Sequence, residues 1–208
     1  MLPRVIPLFP LPNAVLFPGM PLPLHVFEPR YRKLVADVLG GQGVIGMVLL
    51  KPGWESDYHG RPAVYPVGCA GRLEECDPCA DGRFNIVLKG VSRFRIGEEH
   101  AGQPYRLASV APLGDAPGDA LALDQLRGRV RAAIGREADG PTLLVTSPDL
   151  PHELFVNALC QSLSLSPVEQ QSLLDCDTLP ARYTRLLEIL DFRQLERTYG
   201  RGGSESVH

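Results

Sequence analysis

The sequence lacks an apolar stretch long enough to cross a membrane. A transmembrane helix needs about 18 or more consecutive apolar residues, and no such run occurs. The N-terminus is rich in apolar residues, but prolines interrupt them and no small-residue cleavage site follows, so it does not match a signal peptide. We therefore expect a cytoplasmic protein without a membrane partner, whose five cysteines remain thiols in a reducing compartment.

Motifs of common enzyme chemistry are also missing. Lys33, Lys51 and Lys89 are the only lysines, and none of them completes the GxxxxGK[ST] loop that holds nucleotide phosphates. The nucleophile elbow GxSxG and the zinc motif HExxH do not occur. The five histidines are scattered singly, without a nucleophile or carboxylate at a diagnostic spacing. The sequence thus predicts no enzyme, no catalytic residue and no cofactor.

A strong positive charge is absent too. The formal net charge is -3 and 44% of the residues are hydrophobic, which is typical of a globular protein with a packed core. Domains that bind nucleic acid usually have a basic face and a pI above about 9. With a pI near 6.0, nucleic acid is not the expected partner.

What the first half does contain is turns and short strands. The chain has 21 glycines and 20 prolines, and they crowd this half. One helix is predicted, beginning at Glu28-Pro29 and ending at Gly40-Gly41, with Tyr31, Leu34, Val35, Val38 and Leu39 as its apolar stripe. Six to eight short strands are expected, and a closed or half-closed barrel would remove most of their exposed edges. The predicted strands are Val5–Phe9 (an edge strand, because of Pro7), Val15–Met20, Leu22–Phe27, Val44–Leu50, Val64–Leu73, Phe84–Lys89, Arg93–Ile96 and Tyr105–Leu113.

The second half has a helical period. The segment 112–118 is rich in proline and glycine and predicts a linker. Beyond it, Ser166-Pro167-Val168-Glu169 is a capping box, which marks the start of a helix. The fold class is α+β, and the predicted parts are a β-barrel subdomain at 1–114, a helical bundle subdomain at 119–199 and a flexible tail at 200–208.

One cysteine pattern leaves three interpretations open. Cys76-Asp77-Pro78-Cys79 is predicted to lie in a turn-rich segment, 74–82, before the Asp81-Gly82 hairpin. A redox pair would need the first cysteine at a helix start, and a zinc site would need more ligands, such as Cys69 and His59. A turn that carries two thiols needs neither. We expect no metal, with Cys69, Cys76 and Cys79 as the alternative ligand set.

Several ordered motifs resemble the family of Lon protease N-terminal domains. The segments 6–19 and 21–31 are similar to its "PLFPLP…VLFPG" and "LPLHVFEPRY" stretches. Ile45-Gly46-Met47 and Gly68-Cys69-Ala70 match two of its strands. The segment 81–96 is similar to its "DGR…GxxRFRI" hairpin. The resemblance covers about residues 2–195.

The resemblance implies a PUA-like β-barrel followed by a helical bundle, as in the single-domain bacterial members. It also implies a non-catalytic module that binds unfolded or extended polypeptide, or other proteins, without ATPase or protease parts. RNA binding, as in other PUA-like proteins, and a small zinc- or thiol-dependent enzyme are the alternatives. The expected peptide contacts are Met20, Phe27, Trp54 and Arg93, although Arg93 and Arg95 also suit the solvent face of a hairpin. The family signature residues His25, Glu28, Arg30 and Tyr31 are expected to be structural.

Overall fold

The structure, a computed structural model, describes residues 2–58, 60–116, 118–135 and 150–200; for residues 199 and 200 it describes the backbone alone. The described part has a mixed α+β fold and divides into two compact units. The first unit contains Met1–Gly114 and Ser164–Asp175, and the second contains Asp115–Leu163 and Cys176–His208. The return of 164–175 to the first unit differs from the prediction, which assigned that segment to the helical bundle. The predicted tail 200–208 lies outside the described residues, apart from the backbone of Gly200.

The strands of the first unit form one sheet. Within the described ranges it has six strands in the order β2-β5-β4-β3-β1-β6, and β6 also pairs with β5. The sequence of pairings β5-β4-β3-β1-β6 therefore returns to β5. The strands are β1 (Val5–Leu11), β2 (Pro21–Val26), β3 (Val44–Leu49), β4 (Val67–Pro78), β5 (Phe84–His100) and β6 (Arg106–Leu113).

Strand β1 lies between two neighbours, so its prediction as an edge strand was wrong. Its first part, Val5–Leu8, pairs with β6, and its second part, Leu8–Leu11, pairs with β3. Proline cannot donate to a ladder and is tolerated where one side of a strand is unpaired. Pro7 and Pro10 each fall in a part of β1 with a single partner, which reconciles two prolines with an interior position.

The run Val15–Met20, predicted as a strand, belongs to no ladder. The N–H of Met20 donates to the carbonyl of Phe17 at 3.1 Å, closing a turn with Pro18 and Gly19 at its centre. Gly19 has φ 80°, a left-handed conformation that glycine adopts without strain. The apolar side chains before the turn are buried, so apolarity here reflects packing and not strand pairing.

Helix α1 (Pro29–Leu39) follows the prediction closely. Pro29 occupies the first turn, where its missing N–H costs no hydrogen bond, and the helix ends at Gly40. Tyr31, Leu34, Val35 and Val38 are its buried residues. The predicted stripe is wrong only at Leu39, which is 53% exposed.

The strands β4 and β5 are longer than predicted. β5 runs through Gly90 without a break. Its first part, Phe84–Lys89, pairs with β2, and its second part, 93–100, pairs with β6. β4 pairs with β5 as far as Pro78, so Cys76 lies in a strand and not in a turn. A Cβ at Gly90 would lie 2.1 Å from the carbonyl oxygen of Phe17, which explains glycine at this point.

The core of the first unit collects side chains from several strands. Phe94, fully buried, packs at its centre. Around it lie Ile6, Leu8, Val44, Val48, Ala70 and Ala108. Helix α4 (Pro167–Leu174) belongs to this unit, and the predicted capping box is confirmed: Ser166 Oγ accepts from the N–H of Glu169, and the Glu169 carboxylate accepts from the N–H of Ser166 at 2.7 Å.

The second unit contains α2 (Ala120–Ile134), α3 (His152–Ser162) and α5 (Leu179–Gly200). A buried polar cluster lies among them. The guanidinium of Arg182 is fully buried and makes two hydrogen bonds to Asp115, at 2.9 and 3.0 Å, and one to Asn157 Oδ1, at 2.8 Å. In the described ranges of both units, no helix is long and apolar enough to span a bilayer.

Candidate functional site

A cavity of about 340 Å³ opens in the first unit beside the start of α1. Three arginines and three tyrosines line it, and we name it the arginine–tyrosine cavity after Arg30, Arg61, Arg106, Tyr31, Tyr58 and Tyr105. Pro10, Leu50, Pro62 and Pro104 supply apolar wall, with Gly60 and Gln103 at the remaining positions. A volume of this size suits a small molecule or the end of a chain.

One wall is built from the family signature. Glu28 precedes the helix, and its carboxylate accepts from Arg30 Nε at 3.1 Å and from the Tyr58 hydroxyl. The guanidinium of Arg30 lies over two rings, 4.6 Å from the centroid of Tyr31 and 5.1 Å from that of Tyr58. Burial first, and the hydrogen bond to Glu28 second, raise the pKa of Tyr58. The wall is held as a rigid unit by charge-assisted hydrogen bonds and cation–π contacts.

Tyr31 lines this cavity and is itself buried. Its residue is only 4% exposed, and its ring stacks on Phe9 with centroids 4.2 Å apart. Burial raises the pKa of Tyr31 to about 12, with Arg30 opposing the rise, so the hydroxyl is protonated at neutral pH. Among the described residues, no hydrogen bond to this hydroxyl occurs. Tyr31 therefore has a donor available inside the cavity.

The opposite wall comes from β6 and the segment before it. Arg106 Nε donates to Glu99 Oε2 at 3.0 Å, its Nη2 donates to the other oxygen, and its Nη1 donates to the carbonyl of Pro62 at 2.8 Å. The hydroxyl of Tyr105 donates to Asp37 at 2.7 Å. Burial and this hydrogen bond raise the pKa of Tyr105 to about 12.

Arg61 differs from the other two arginines. Its side chain is half exposed, and its Nη1 approaches Glu99 only to 3.7 Å. Across the described residues its guanidinium makes no hydrogen bond, so its donors face solvent and the cavity mouth. The carboxylates Glu28 and Glu99 are not lining residues, so the charged groups on the cavity surface are all guanidinium groups.

A second surface lies on the part of the sheet formed by the neighbouring strands β2, β5 and β4. The register aligns Pro23 with Val87 and His25 with Asn85, and aligns those β5 residues with Glu75 and Asp77. Because alternate residues of a strand share a face, these side chains project together. With Phe27 at its end, we name this surface the β2 face: Pro23, His25, Phe27, Glu75, Asp77, Asn85 and Val87.

Phe27 and His25 give the β2 face its aromatic end. Phe27 is 59% exposed, and its ring stacks with that of His25 at 6.2 Å between centroids. His25 Nδ1 lies 2.7 Å from Asn85 Oδ1, and its Nε2 lies 3.4 Å from Arg83 Nη1. His25 therefore contacts the side chains of both Asn85 and Arg83.

The remaining predicted contacts are placed differently. Met20 is half-buried in the turn before β2, and Trp54 begins a short 3-10 helix (Trp54–Asp57) with its ring 5.4 Å from that of Tyr58, edge to face. Arg93 is only 2% exposed, and its guanidinium donates to the carbonyls of Leu174 and Gly114. The expectation that Arg93 lies on a binding surface or a solvent face was wrong, because its side chain is buried and hydrogen-bonded to backbone carbonyls, whereas Arg95, two residues farther along β5, is exposed.

The cysteines do not assemble into the alternative metal site. Cys69 is buried opposite Arg93, whereas Cys76 pairs with Ile86 farther along β4. Seven residues of extended strand separate their Cα atoms by about 23 Å. His59 lies outside the described residues, and the described part holds no group of three or more His, Cys, Asp or Glu residues that could bind a metal. Burial and the neighbouring Asp77 raise the pKa of Cys76, the opposite of what a reactive thiolate needs.

Four cavity residues escaped the sequence analysis: Tyr58, Arg61, Tyr105 and Arg106. Each lies in a loop or at a strand start, where no periodicity marks it, and the two pairs are more than 40 residues apart in the chain.

The spacing Gly41, Gly43, Gly46 matches the motif GxGxxG. This motif connects helix α1 to strand β3, the reverse of the strand-to-helix order that binds dinucleotides.

Comparison with known proteins identifies relatives of this fold. The model of the ATP-dependent protease La (LON) substrate-binding domain matches residues 5–191. Lon protease of Roseiflexus castenholzii is 31% identical in an alignment that covers 99% of this chain and 26% of that protein. The chain spans about a quarter of the length of the curated Lon proteases that it matches.

Two solved structures agree with that match. The Lon N-terminal domain protein from Xanthomonas campestris is 27% identical, with a TM-score of 0.64 and coverage of 88% of this chain and 97% of that one. The N-terminal domain of Mycobacterium avium complex Lon protease has a TM-score of 0.68 and coverage of 90% and 98%. At 16% identity, this second structure indicates the fold only.

Proposed function

Because the chain belongs to the LON substrate-binding domain family, we propose that it is a non-catalytic module that binds extended or unfolded polypeptide. The observation that carries the proposal is the β2 face, where the ring of Phe27 is 59% exposed at one end and two carboxylates, Glu75 and Asp77, lie opposite Val87 and Asn85 of β5. An exposed aromatic side chain next to apolar and polar neighbours is a common anchor of protein recognition.

The charges of the β2 face define the segment that fits it. Among the described residues, Glu75 and Asp77 have neither a hydrogen bond nor an ion pair to another side chain. Both are exposed and lie on the same face of β4. An apolar residue over Phe27, followed by lysine or arginine near Glu75, would satisfy both features. The same carboxylates repel a phosphate backbone, which argues against RNA on this surface.

Binding on the face is favoured over strand addition at the edge of β2. Within the described part of the chain, β2 pairs with β5 only. The N–H of Gly90 donates to the carbonyl of Met20. By strand alternation, the even-numbered residues of β2 direct their backbone N–H and C=O groups toward β5, and the odd-numbered residues of β2 direct theirs away from it. Pro21 and Pro23 are therefore on the outer edge, where neither offers an N–H to an added strand.

We also propose that the first unit is a PUA-like barrel and that 119–199, except the α4 segment, is a helical bundle. The pairing of β6 with both β1 and β5 supports closure of the strands. The packing of α2 and α3 against α5 supports the bundle.

Binding to a carboxymethylated, permanently unfolded polypeptide tests the function, measured by fluorescence anisotropy. We expect saturable binding and a loss of about tenfold in the Phe27→Ser variant, the usual effect of removing an aromatic anchor. The matched control is Leu39→Ser, which removes an apolar side chain of similar exposure at the end of α1.

Peptide composition gives a second arm of the test. An apolar segment flanked by lysines should bind more tightly than the same segment flanked by glutamates, and Glu75→Gln with Asp77→Asn should abolish that preference. Equal binding of the wild type, Phe27→Ser and Leu39→Ser proteins, or no binding to any unfolded chain, would contradict the proposal.

A further inference from the structure

We propose that the arginine–tyrosine cavity binds a ligand through one carboxylate that is attached to an apolar or aromatic group. Two sources have this chemistry: the C-terminal carboxylate of a polypeptide and a small apolar acid. The inference is independent of the β2 face, and neither surface needs the other.

The charge balance of the cavity selects a single negative charge. Three guanidinium groups line it, and Glu28 and Glu99 bind two of them from outside the lining. One positive charge therefore remains uncompensated at the cavity. A carboxylate neutralises it, whereas a dianionic phosphate would leave one negative charge in a partly desolvated site.

The hydrogen-bond donors that line the cavity also favour a carboxylate as the ligand group. Arg61 has no hydrogen bond from its guanidinium to any described residue, and the hydroxyl of Tyr31 is likewise without one. Arg30 and Arg106 each retain N–H groups beyond those that bind Glu28, Glu99 and backbone carbonyls. Planar guanidinium groups bind the two oxygens of a carboxylate in parallel.

The apolar wall decides what the carboxylate is attached to. Pro10, Leu50, Pro62 and Pro104 line the cavity between its polar groups. The rings of Tyr58, which is half-buried, and of Tyr105, which is buried, also line the cavity and offer aromatic contact to a ligand side chain. A free inorganic anion would leave this apolar surface and most of the volume of about 340 Å³ unfilled.

The single tryptophan provides the assay. Trp54 contacts Tyr58, a cavity residue, so occupancy should change its fluorescence. The probes are N-acetyl-phenylalanine, its amide, a hexapeptide with a free C-terminal phenylalanine, the same hexapeptide amidated, and inorganic phosphate. We expect saturable binding of both free acids and at least tenfold weaker binding of both amides, while phosphate at the same concentration does not compete.

Two variants locate the binding in the cavity. Arg61→Gln removes the guanidinium that makes no hydrogen bond to any described residue, and Tyr31→Phe removes one hydroxyl while keeping the ring that stacks on Phe9. Each should weaken the free acids about five- to tenfold and leave the amides unchanged. Arg95→Gln, an exposed arginine of β5 that does not line the cavity, is the control and should have no effect. Melting curves of the variants verify that each is folded.

The outcomes separate the sources and the two proposals. Tighter binding of the free-acid hexapeptide than of N-acetyl-phenylalanine identifies a chain terminus, and the reverse order identifies a small acid; both agree with the inference. Equal binding of acids and amides, equal loss in Arg95→Gln, competition by phosphate, or no fluorescence change together with no calorimetric binding would overturn it. Phe27→Ser should leave the free acids unaffected, so failure at the β2 face and failure at the cavity are distinguishable.

Discussion

Replacing Arg182 by methionine tests the buried polar cluster of the second unit. The arginine is fully buried, and its two hydrogen bonds to Asp115 form an ion pair that is mostly shielded from water. Methionine fills a similar volume but leaves the Asp115 carboxylate and the Asn157 oxygen without this donor. Removing one partner of a buried pair costs about 3–5 kcal/mol, because the remaining charge is uncompensated.

The matched control lies three residues along the same helix. Arg185 pairs with Glu188, and both side chains are substantially exposed. An exposed pair contributes about 0–1 kcal/mol, so Arg185→Met should change stability by no more than that. The two substitutions are chemically identical and differ only in burial.

Urea unfolding followed by circular dichroism at 222 nm measures the difference, since that signal weights the helices of the second unit. Fluorescence of Trp54 follows the first unit separately. We expect Arg182→Met to lower the free energy of unfolding by about 3–5 kcal/mol. A further Asp115→Asn change should recover part of that loss, because it removes the negative charge that Arg182 had faced. A loss in Arg182→Met no larger than in Arg185→Met, or no recovery in the double variant, would refute the reasoning.

Two further predictions concern the backbone and alkaline pH. Gly90→Ala should destabilise the protein by about 1–3 kcal/mol, because the added Cβ would collide with the carbonyl oxygen of Phe17. Gly128→Ala, in open space within α2, should instead stabilise the protein by about 1 kcal/mol. Equal shifts of the two variants in thermal melts would contradict this prediction. Because burial raises the pKa of Tyr31 to about 12, while the unfolded chain ionises this hydroxyl near pH 10, stability should fall as pH rises above about 10. Tyr31→Phe should reduce that fall, as measured by urea midpoints from pH 8 to 11.5.

Local signals in the sequence were sufficient for several elements. The proline at the start of α1, the glycines after it and the capping box at Ser166 are read within a few residues, because the groups that satisfy a helix end are neighbours in the chain. The wholly buried run of β3 was also predictable, since a strand covered on both faces has no polar alternation.

Long-range pairings were not predictable in the same way. The interior position of β1, the unbroken length of β5 and the inward direction of Arg93 each depend on partners that are distant in sequence. The arginine–tyrosine cavity has the same origin. Tyr58 and Arg106 meet across one opening because the register of the sheet carries β6 to the loop after β3. Nothing within either local segment marks these residues as functional.

The prolines of β2 also bear on the solubility that the proposed function, the binding of unfolded chains, would require. Such a protein concentrates aggregation-prone segments at its own surface, where a bare strand edge could nucleate cross-β growth. Pro21 and Pro23 deny that edge the N–H groups that a growing ladder needs. Under the proposed function, the molecule would hold a bound chain against the β2 face while remaining a poor template for fibrils, both of that chain and of its own copies.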